Sequence, residues 1–318
     1  MLPLALTQGD PAGIGPELAL KAWLARGPST PPFFALADPG QLAALARQLG
    51  WDVPVARATP GEAAALFARA LPVVPLRANA GAASTVESMA RAVQLVHAGE
   101  AAAVVTNPIA KQILHKAGFR HPGHTEFLGA EARRLWRAPC TAVMMLWSPE
   151  LAVVPATVHV ALKDVPGLLT QALIVETGMI VARDMARLFG VAKPRIAVAG
   201  LNPHAGEGGS MGIEDRDIVA PAIADLRANG IDATGPHPAD TLFHAAARKR
   251  YDVAIAMYHD QALIPIKTIA FDHGVNVTLG LPFVRTSPDH GTAFDIAGRG
   301  IADPTSLLAA LALAARLA

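Results

Sequence analysis

Short apolar runs alternate with alanine-rich helical stretches along almost the whole chain. The clearest runs are residues 2–7 (LPLALT), 33–37 (FFALA), 101–106 (AAAVVT), 141–146 (TAVMML), 195–200 (RIAVAG), 252–257 (DVAIAM) and 275–280 (VNVTLG). None is long enough for a typical helix, and their continuous apolarity is that of strands buried on both faces. Between them, residues 84–100 place Val86, Met89, Val93 and Val96 at helical spacing. The last helix opens at Asp303–Pro304, a capping residue followed by proline at the first position. Strands alternating with helices in this way predict an α/β fold with a largely parallel or mixed sheet. At 318 residues the chain holds two ordinary domains or one large domain with a cleft. No internal repeat or low-complexity linker marks a seam.

Apolar residues make up 52% and charged residues 17%, so the chain folds around a substantial core. The formal charge is +1 with no basic tract, which leaves no electrostatic footprint for nucleic acid or an anionic membrane. Cys140 is the only cysteine, so an intramolecular disulfide and thiolate-rich metal sites are both excluded. Its setting, APCTAVMML, reads as a strand with a buried structural thiol. The start, MLPLALTQGDP, lacks the basic segment of a signal peptide, and residues 167–183 carry Glu176 and read as a packed helix. The expectation is a soluble cytoplasmic protein.

Three histidines stand where such a sheet would deliver chemistry. His159 lies in ATVHVAL, His204 in LNPHAGEGG and His259 in AMYHDQ, each after a run that reads as a buried strand (151–158, 195–201 and 252–258). Open α/β sheets bind ligands in a crevice at the carboxyl ends of their strands. Three imidazoles reaching one crevice form the ligand set of a catalytic metal with an open position. Their separation in sequence fits no local metal-binding helix or knuckle, so this reading depends on the fold. Three unrelated polar histidines at loop starts are the alternative.

Other strand-edge motifs are polar. GDPAGIGPE (9–17) is glycine-rich and opens a helix, but it fits neither GxGxxG nor GxxxxGK[ST]; a tight turn explains it as well as a ligand contact does. TNPIAK (106–111) puts Thr106, Asn107 and Lys111 at a strand end. In GHTE (123–126), His124 and Thr125 open a helix where an anion would meet unpaired N–H groups, unless Thr125 merely caps it. Residues 202–217 gather His204, Glu207, Glu214, Asp215 and Asp217 around four glycines, a functional loop or lid. Asp240 stands at a helix start in PHPADT, where capping alone would also explain it. The last quarter adds Asp260, Lys267, Asn276, Arg285, Ser287, Asp289, His290 and Asp295. Lys267 and Arg285 after apolar strand-like runs suit a phosphate or carboxylate, with ion pairs to Asp272, Asp289 or Asp295 as the structural alternative.

With these blocks in order over nearly the whole length, the sequence resembles the 4-hydroxythreonine-4-phosphate dehydrogenase (PdxA-like) family of pyridoxal phosphate biosynthesis. The blocks are GDPAGIGPE, TNPIAK, GHTE, TVHVAL, LNPHAGEGG, PHPADT, AMYHDQ and VNVTLGLPFVRTSPDHGTAFDIAG. Departures are small: Gln8 replaces a common methionine and Asp215 a common glutamate. The resemblance implies two α/β domains flanking a cleft, similar to isocitrate and isopropylmalate dehydrogenases. The expected division is 1–128 with 260–318, and 129–259, the latter contributing to a homodimer interface. It implies one divalent ion (zinc, magnesium or cobalt) on His159, His204 and His259, with the active site completed across that interface. His124, Thr125, Lys267, Asn276 and Arg285 would contact a phosphorylated substrate, and Asp240, Asp260 and Lys267 are the candidate bases. NAD or NADP would bind without a Rossmann fingerprint, at residues the motifs do not assign.

The implied reaction oxidises 4-phosphohydroxy-L-threonine to a 3-keto acid that decarboxylates to 3-amino-2-oxopropyl phosphate. The nearest rival is a paralogous dehydrogenase for phosphorylated threonate or erythronate, or for a cis-dihydrodiol. More distant ones are a metal-dependent hydrolase or lyase needing no nicotinamide, and a silent phospholigand-binding protein.

Overall fold

A computed structural model of the protein describes residues 2–78, 81–121 and 123–318. Backbone contacts divide the chain into two compact units, Met1–Ala142 with Val275–Ala318, and Val143–Gly274. The first is discontinuous in sequence, and the seams lie downstream of the expected 128/129 and 259/260.

In chain order, the first unit opens with β1 (Leu4–Thr7), α1 (Gly15–Leu24), β2 (Phe33–Ala37), α2 (Pro39–Gln48), β3 (Val55–Arg57), α3 (Pro60–Leu66) and β4 (Leu71–Pro75). It continues through α4 (Gly81–His97), β5 (Val104–Val105), α5 (Lys111–Lys116) and α6 (His124–Trp136). The second unit carries β6 (Val143–Trp147), β7 (Ala152–Pro155), α7 (Val165–Leu168), α8 (Gln171–Phe189), β8 (Ile196–Ala199) and α9 (Ala220–Ala228). After these come β9 (Ala233–His237), α10 (Ala239–Leu242), α11 (Ala245–Arg248), β10 (Val253–Ala256) and α12 (His259–Ile269). The chain then returns to the first unit as β11 (Val275–Leu279), β12 (Arg285–Pro288) and α13 (Thr305–Leu317).

Strands of the first unit run in the order β3-β4-β2-β1-β5-β12-β11, all parallel except the antiparallel pair β11–β12. Those of the second run β6-β7-β10-β8-β9, with β6–β7 antiparallel and the others parallel. The central strands are buried throughout, as their unbroken apolar runs require. Phe34, Leu36, Met89, Val93, Val104 and Leu128 form the first core; Leu146, Val153, Ala197, Ala254 and Ile266 anchor the second. The Glu17 carboxylate, fully buried in α1, accepts from the Gly298 and Ala302 amides and ties the returning segment down.

Several local expectations change. Residues 259–269 are one helix with Pro265 inside it, so Lys267 sits in a helical last turn and not after a strand. The short run ALIPI has the apolarity of either state, and its packing on β7 and β10 decides for helix. Arg285 begins a strand and does not follow one. The 167–183 segment is broken at residues 169–170, where Thr170 caps α8 through the Leu173 amide. Asp303 accepts from the Thr305 amide, so the final helix starts one turn position later than the proline suggests. Cys140 precedes β6 and is only half-buried, its thiol donating to the Gly129 carbonyl at 3.5 Å. Among the described residues no single helix is long and apolar enough to cross a membrane.

Candidate active site

In the first unit the polar residues gather around Arg285. Strand β12 lies between β5 and β11, and the pairing of Val277 with Thr286 sets Thr278 opposite Arg285, just as Asn276 is opposite Ser287. Cross-strand partners share a face, so Asn276, Thr278 and Arg285 lie on one side of the sheet. Thr286 lies on the other face and donates to the Ala310 carbonyl of α13. Arg285 is 3% exposed; its Nη1 donates to Thr278 Oγ1 at 2.9 Å and its Nη2 to Thr106 Oγ1 at 2.5 Å. Its Nε is buried with no hydrogen-bond partner. Burial pulls the guanidinium down to about 10, against the attraction of the Glu126 carboxylate, so it keeps its charge at neutral pH.

His124 is the first residue of α6, after Gly123 at the cap; Thr125 is already inside the helix, so capping does not explain it. The Nε2 atom of His124 is buried and unpartnered. Burial, then the positive charges of Arg285 and Lys111, hold this imidazole well below its usual range, so it is neutral at pH 7. Lys111 runs past Gly123, where an added Cβ would lie 3.2 Å from Lys111 Cε. The Oδ1 atoms of Asn107 and Asn276 are also buried without partners. Two cations and an imidazole whose buried Nε2 has no partner are what an oxyanion receptor needs. Gly9, with φ +73°, packs against this segment so tightly that a Cβ would come within 2.6 Å of the Pro108 carbonyl. The GDPAGIGPE loop is thus a packing device on TNPIAK, which accounts for its glycine without a nucleotide.

In the second unit, parallel strands β7 and β10 bring two histidines together. Thr157 Oγ1 donates to the Met257 carbonyl at 2.8 Å, and the two chains emerge side by side. His159, with φ +36°, and His259, opening α12, put their ring centroids 5.5 Å apart. Asp260 Oδ1 lies 2.7 Å from His259 Nδ1, which leaves Nε2 outward. With Val160, Leu162, Val165 and Tyr258 they line a cavity of about 260 Å³. Two imidazoles on one ion with bonds of roughly 2 Å stand at about this separation, and a carboxylate behind a ligating histidine is the usual support. The donor chemistry therefore fits a divalent cation.

His204 is not part of that pair: among the described residues no three histidine, cysteine or carboxylate side chains come close enough to hold a metal. It is exposed, and it starts a left-handed run in which His204, Ala205, Gly206, Glu207 and Gly208 have φ of 53, 54, 76, 42 and 68°. Asp215 pins the base of this loop, accepting from the Leu201 amide at 2.6 Å, the Asn202 amide at 3.0 Å and Asn202 Nδ2 at 3.0 Å. Gly212, φ +119°, leaves the space that the Asn202 side chain fills. Replacing Asp215 with alanine should cost about 3 kcal/mol in denaturant unfolding, because a buried acceptor of two backbone bonds and one side-chain bond is removed; a loss below about 1 kcal/mol would show that the loop holds itself.

The remaining candidates stand apart. Asp240 is exposed in the short helix α10. Lys267 is eight residues beyond His259 on α12, roughly 12 Å along the axis, with its Nζ 5.4 Å from the centre of the Phe271 ring. Thr278 carried no sequence signal because VNVTLG reads as core; alternation of Asn276 and Thr278 on one face is the cue that would have found it. Asp215 was visible only as one acid in an acidic, glycine-rich loop.

Comparison with known proteins gives these residues a family. A family model described as "Pyridoxal phosphate biosynthetic protein PdxA" matches residues 35–314. A Methylorubrum populi protein named 4-hydroxythreonine-4-phosphate dehydrogenase is 62% identical, over 99% of this chain and 94% of its own. A Klebsiella pneumoniae crystal structure of that name superposes with a TM-score of 0.86 at 36% identity, covering 100% and 99% of the two chains. A Burkholderia xenovorans terephthalate 1,2-cis-dihydrodiol dehydrogenase follows at 0.62 and 30%, covering 96% and 95%. A match of this extent, from the second strand to the last helix, means that the chain belongs to the PdxA family of pyridoxal phosphate biosynthetic proteins.

Proposed function

We propose that the protein is an NAD(P)-linked 4-hydroxythreonine-4-phosphate dehydrogenase, oxidising 4-phosphohydroxy-L-threonine to a 3-keto acid that decarboxylates to 3-amino-2-oxopropyl phosphate in pyridoxal phosphate biosynthesis. One observation carries the substrate class: a buried guanidinium with no carboxylate partner, beside a neutral histidine and a lysine. A buried cation left unpaired costs several kcal/mol unless a ligand supplies the counter-charge. Arg285 binds the phosphate through its planar fork, while Lys111 adds a point charge. Neutral His124 donates or accepts one hydrogen bond without adding charge, and Thr125 and Asn276 complete the contacts. Lys267 is assigned to the same group from the family pattern.

His159, His204 and His259 would hold the divalent ion, which we take to be zinc, magnesium or cobalt. When bound, the ion supplies Lewis-acid stabilisation of negative charge at the reacting hydroxyl, and the nicotinamide supplies the hydride acceptor. Asp260, occupied with His259 Nδ1, orients that imidazole. Asp240 and Lys267 are the other candidates for the base that takes the hydroxyl proton. The reading also makes the enzyme a homodimer with each active site completed at the subunit interface. The two-histidine count within one chain's described residues supports it.

The test is NADH or NADPH formation from 4-phosphohydroxy-L-threonine on metal-reconstituted protein, with and without chelator. Rapid turnover that chelator abolishes is expected. No turnover with either nicotinamide overturns the assignment, and turnover indifferent to chelator overturns the metal.

A further inference from the structure

Arg285 is held by two neutral hydroxyls and by no acid. Thr106 comes from the end of β5 on one side of β12, and Thr278 from β11 on the other. One N–H of each terminal nitrogen is thereby used, by hydroxyls from the two strands that flank β12. A planar group bonded at two corners cannot rotate, so its remaining edge has a fixed direction. That edge includes the Nε–H, which is buried and has no partner in the protein. Neither hydroxyl neutralises the cation, whereas a carboxylate in either place would have cancelled its charge and repelled an incoming anion.

We propose that Thr106 and Thr278 are positioning residues that clamp Arg285 so that its Nε edge and its charge are presented to the substrate's phosphate. The pair makes the site selective for a dianionic phosphate monoester. This rests on the reading of Arg285 as the phosphate contact, and the test separates the two. Each threonine acts through Arg285, so its loss weakens binding and leaves the chemical step alone.

The experiment measures inorganic phosphate affinity by calorimetry and, separately, KM and kcat, on metal-loaded full-length protein. The variants are Thr106→Val, Thr278→Val, Thr106→Ser, Thr278→Ser and Arg285→Met. Each valine variant is expected to weaken phosphate binding and raise KM roughly tenfold, with kcat within about twofold, since a charge-assisted hydrogen bond is lost. Each serine variant keeps the hydroxyl and is expected to restore both. Where a valine variant does not fold, the alanine variant at that position takes its place. Unchanged phosphate affinity and KM in the valine variants, with binding lost in Arg285→Met, overturns the clamp and leaves the phosphate site standing. A kcat loss with KM unmoved also overturns it. Phosphate binding that survives Arg285→Met overturns the phosphate site itself.

Discussion

Replacing Arg285 with methionine is expected to lower kcat/KM for 4-phosphohydroxy-L-threonine by roughly two to three orders of magnitude while leaving the protein at least as stable as its parent. Removing a buried, hydrogen-bonded charge from a binding contact costs about 2–5 kcal/mol, and each 1.4 kcal/mol is a decade. Stability moves the other way because no carboxylate pairs with this cation directly: its hydrogen-bond partners are two hydroxyls, its Nε has none, and the pull of Glu126 only partly offsets its burial. Exchanging an uncompensated buried charge for an apolar side chain of similar volume is often neutral or favourable. Functional sites give up stability in this manner.

The pH dependence follows from His124. Its imidazole is held low by burial first, then by Arg285 and Lys111. The unfolded chain therefore takes up a proton below pH 6.5 that the folded state refuses. That stability is complete above the unfolded value and declines as the pH falls from there. Without Arg285 one depressing charge is gone, the folded value rises, and the acid loss shrinks. The variant's advantage in urea unfolding should thus be larger at pH 5.5 than at pH 7.5. A loss of several kcal/mol at pH 7.5 with KM unchanged would place Arg285 in the scaffold and not in the site.

The sequence showed the site unevenly, for physical reasons. Continuous apolar runs such as 252–257 are legible because burial on both faces leaves no polar alternation to confuse them. His159 and His259 were within reach of sequence reasoning, since each follows a run that reads as a buried strand and those strands are neighbours. Strand β12 was not, because its sequence, RTSP, is polar. It is buried all the same, since Arg285 and Thr286 find hydrogen-bond partners on the two faces of the sheet. The helix 259–269 was hidden by Pro265, and the left-handed run from His204 by its composition: Ala205 and Glu207 have no intrinsic preference for positive φ.

That run leads to the second large effect: His204→Ala is expected to reduce turnover by roughly three orders of magnitude or more, with no loss of stability. The His204 side chain is exposed and makes no hydrogen bond among the described residues, so its removal takes little from the fold. Yet three residues with side chains are held at positive φ around it, each of order 1 kcal/mol or more above its relaxed state. Such a conformation persists only where its surroundings over-determine it, and here they do so through the three bonds to Asp215 and the space at Gly212. A side chain that supports nothing, on a backbone that is costly to hold, is placed for something outside the chain's own packing. An imidazole reserved for an ion accounts for both. The metal content of the purified variant should fall along with its turnover, while its urea midpoint stays with the parent's. Full metal occupancy in an active His204→Ala protein would remove this histidine from the ligand set and leave the strained loop to be explained by substrate contact.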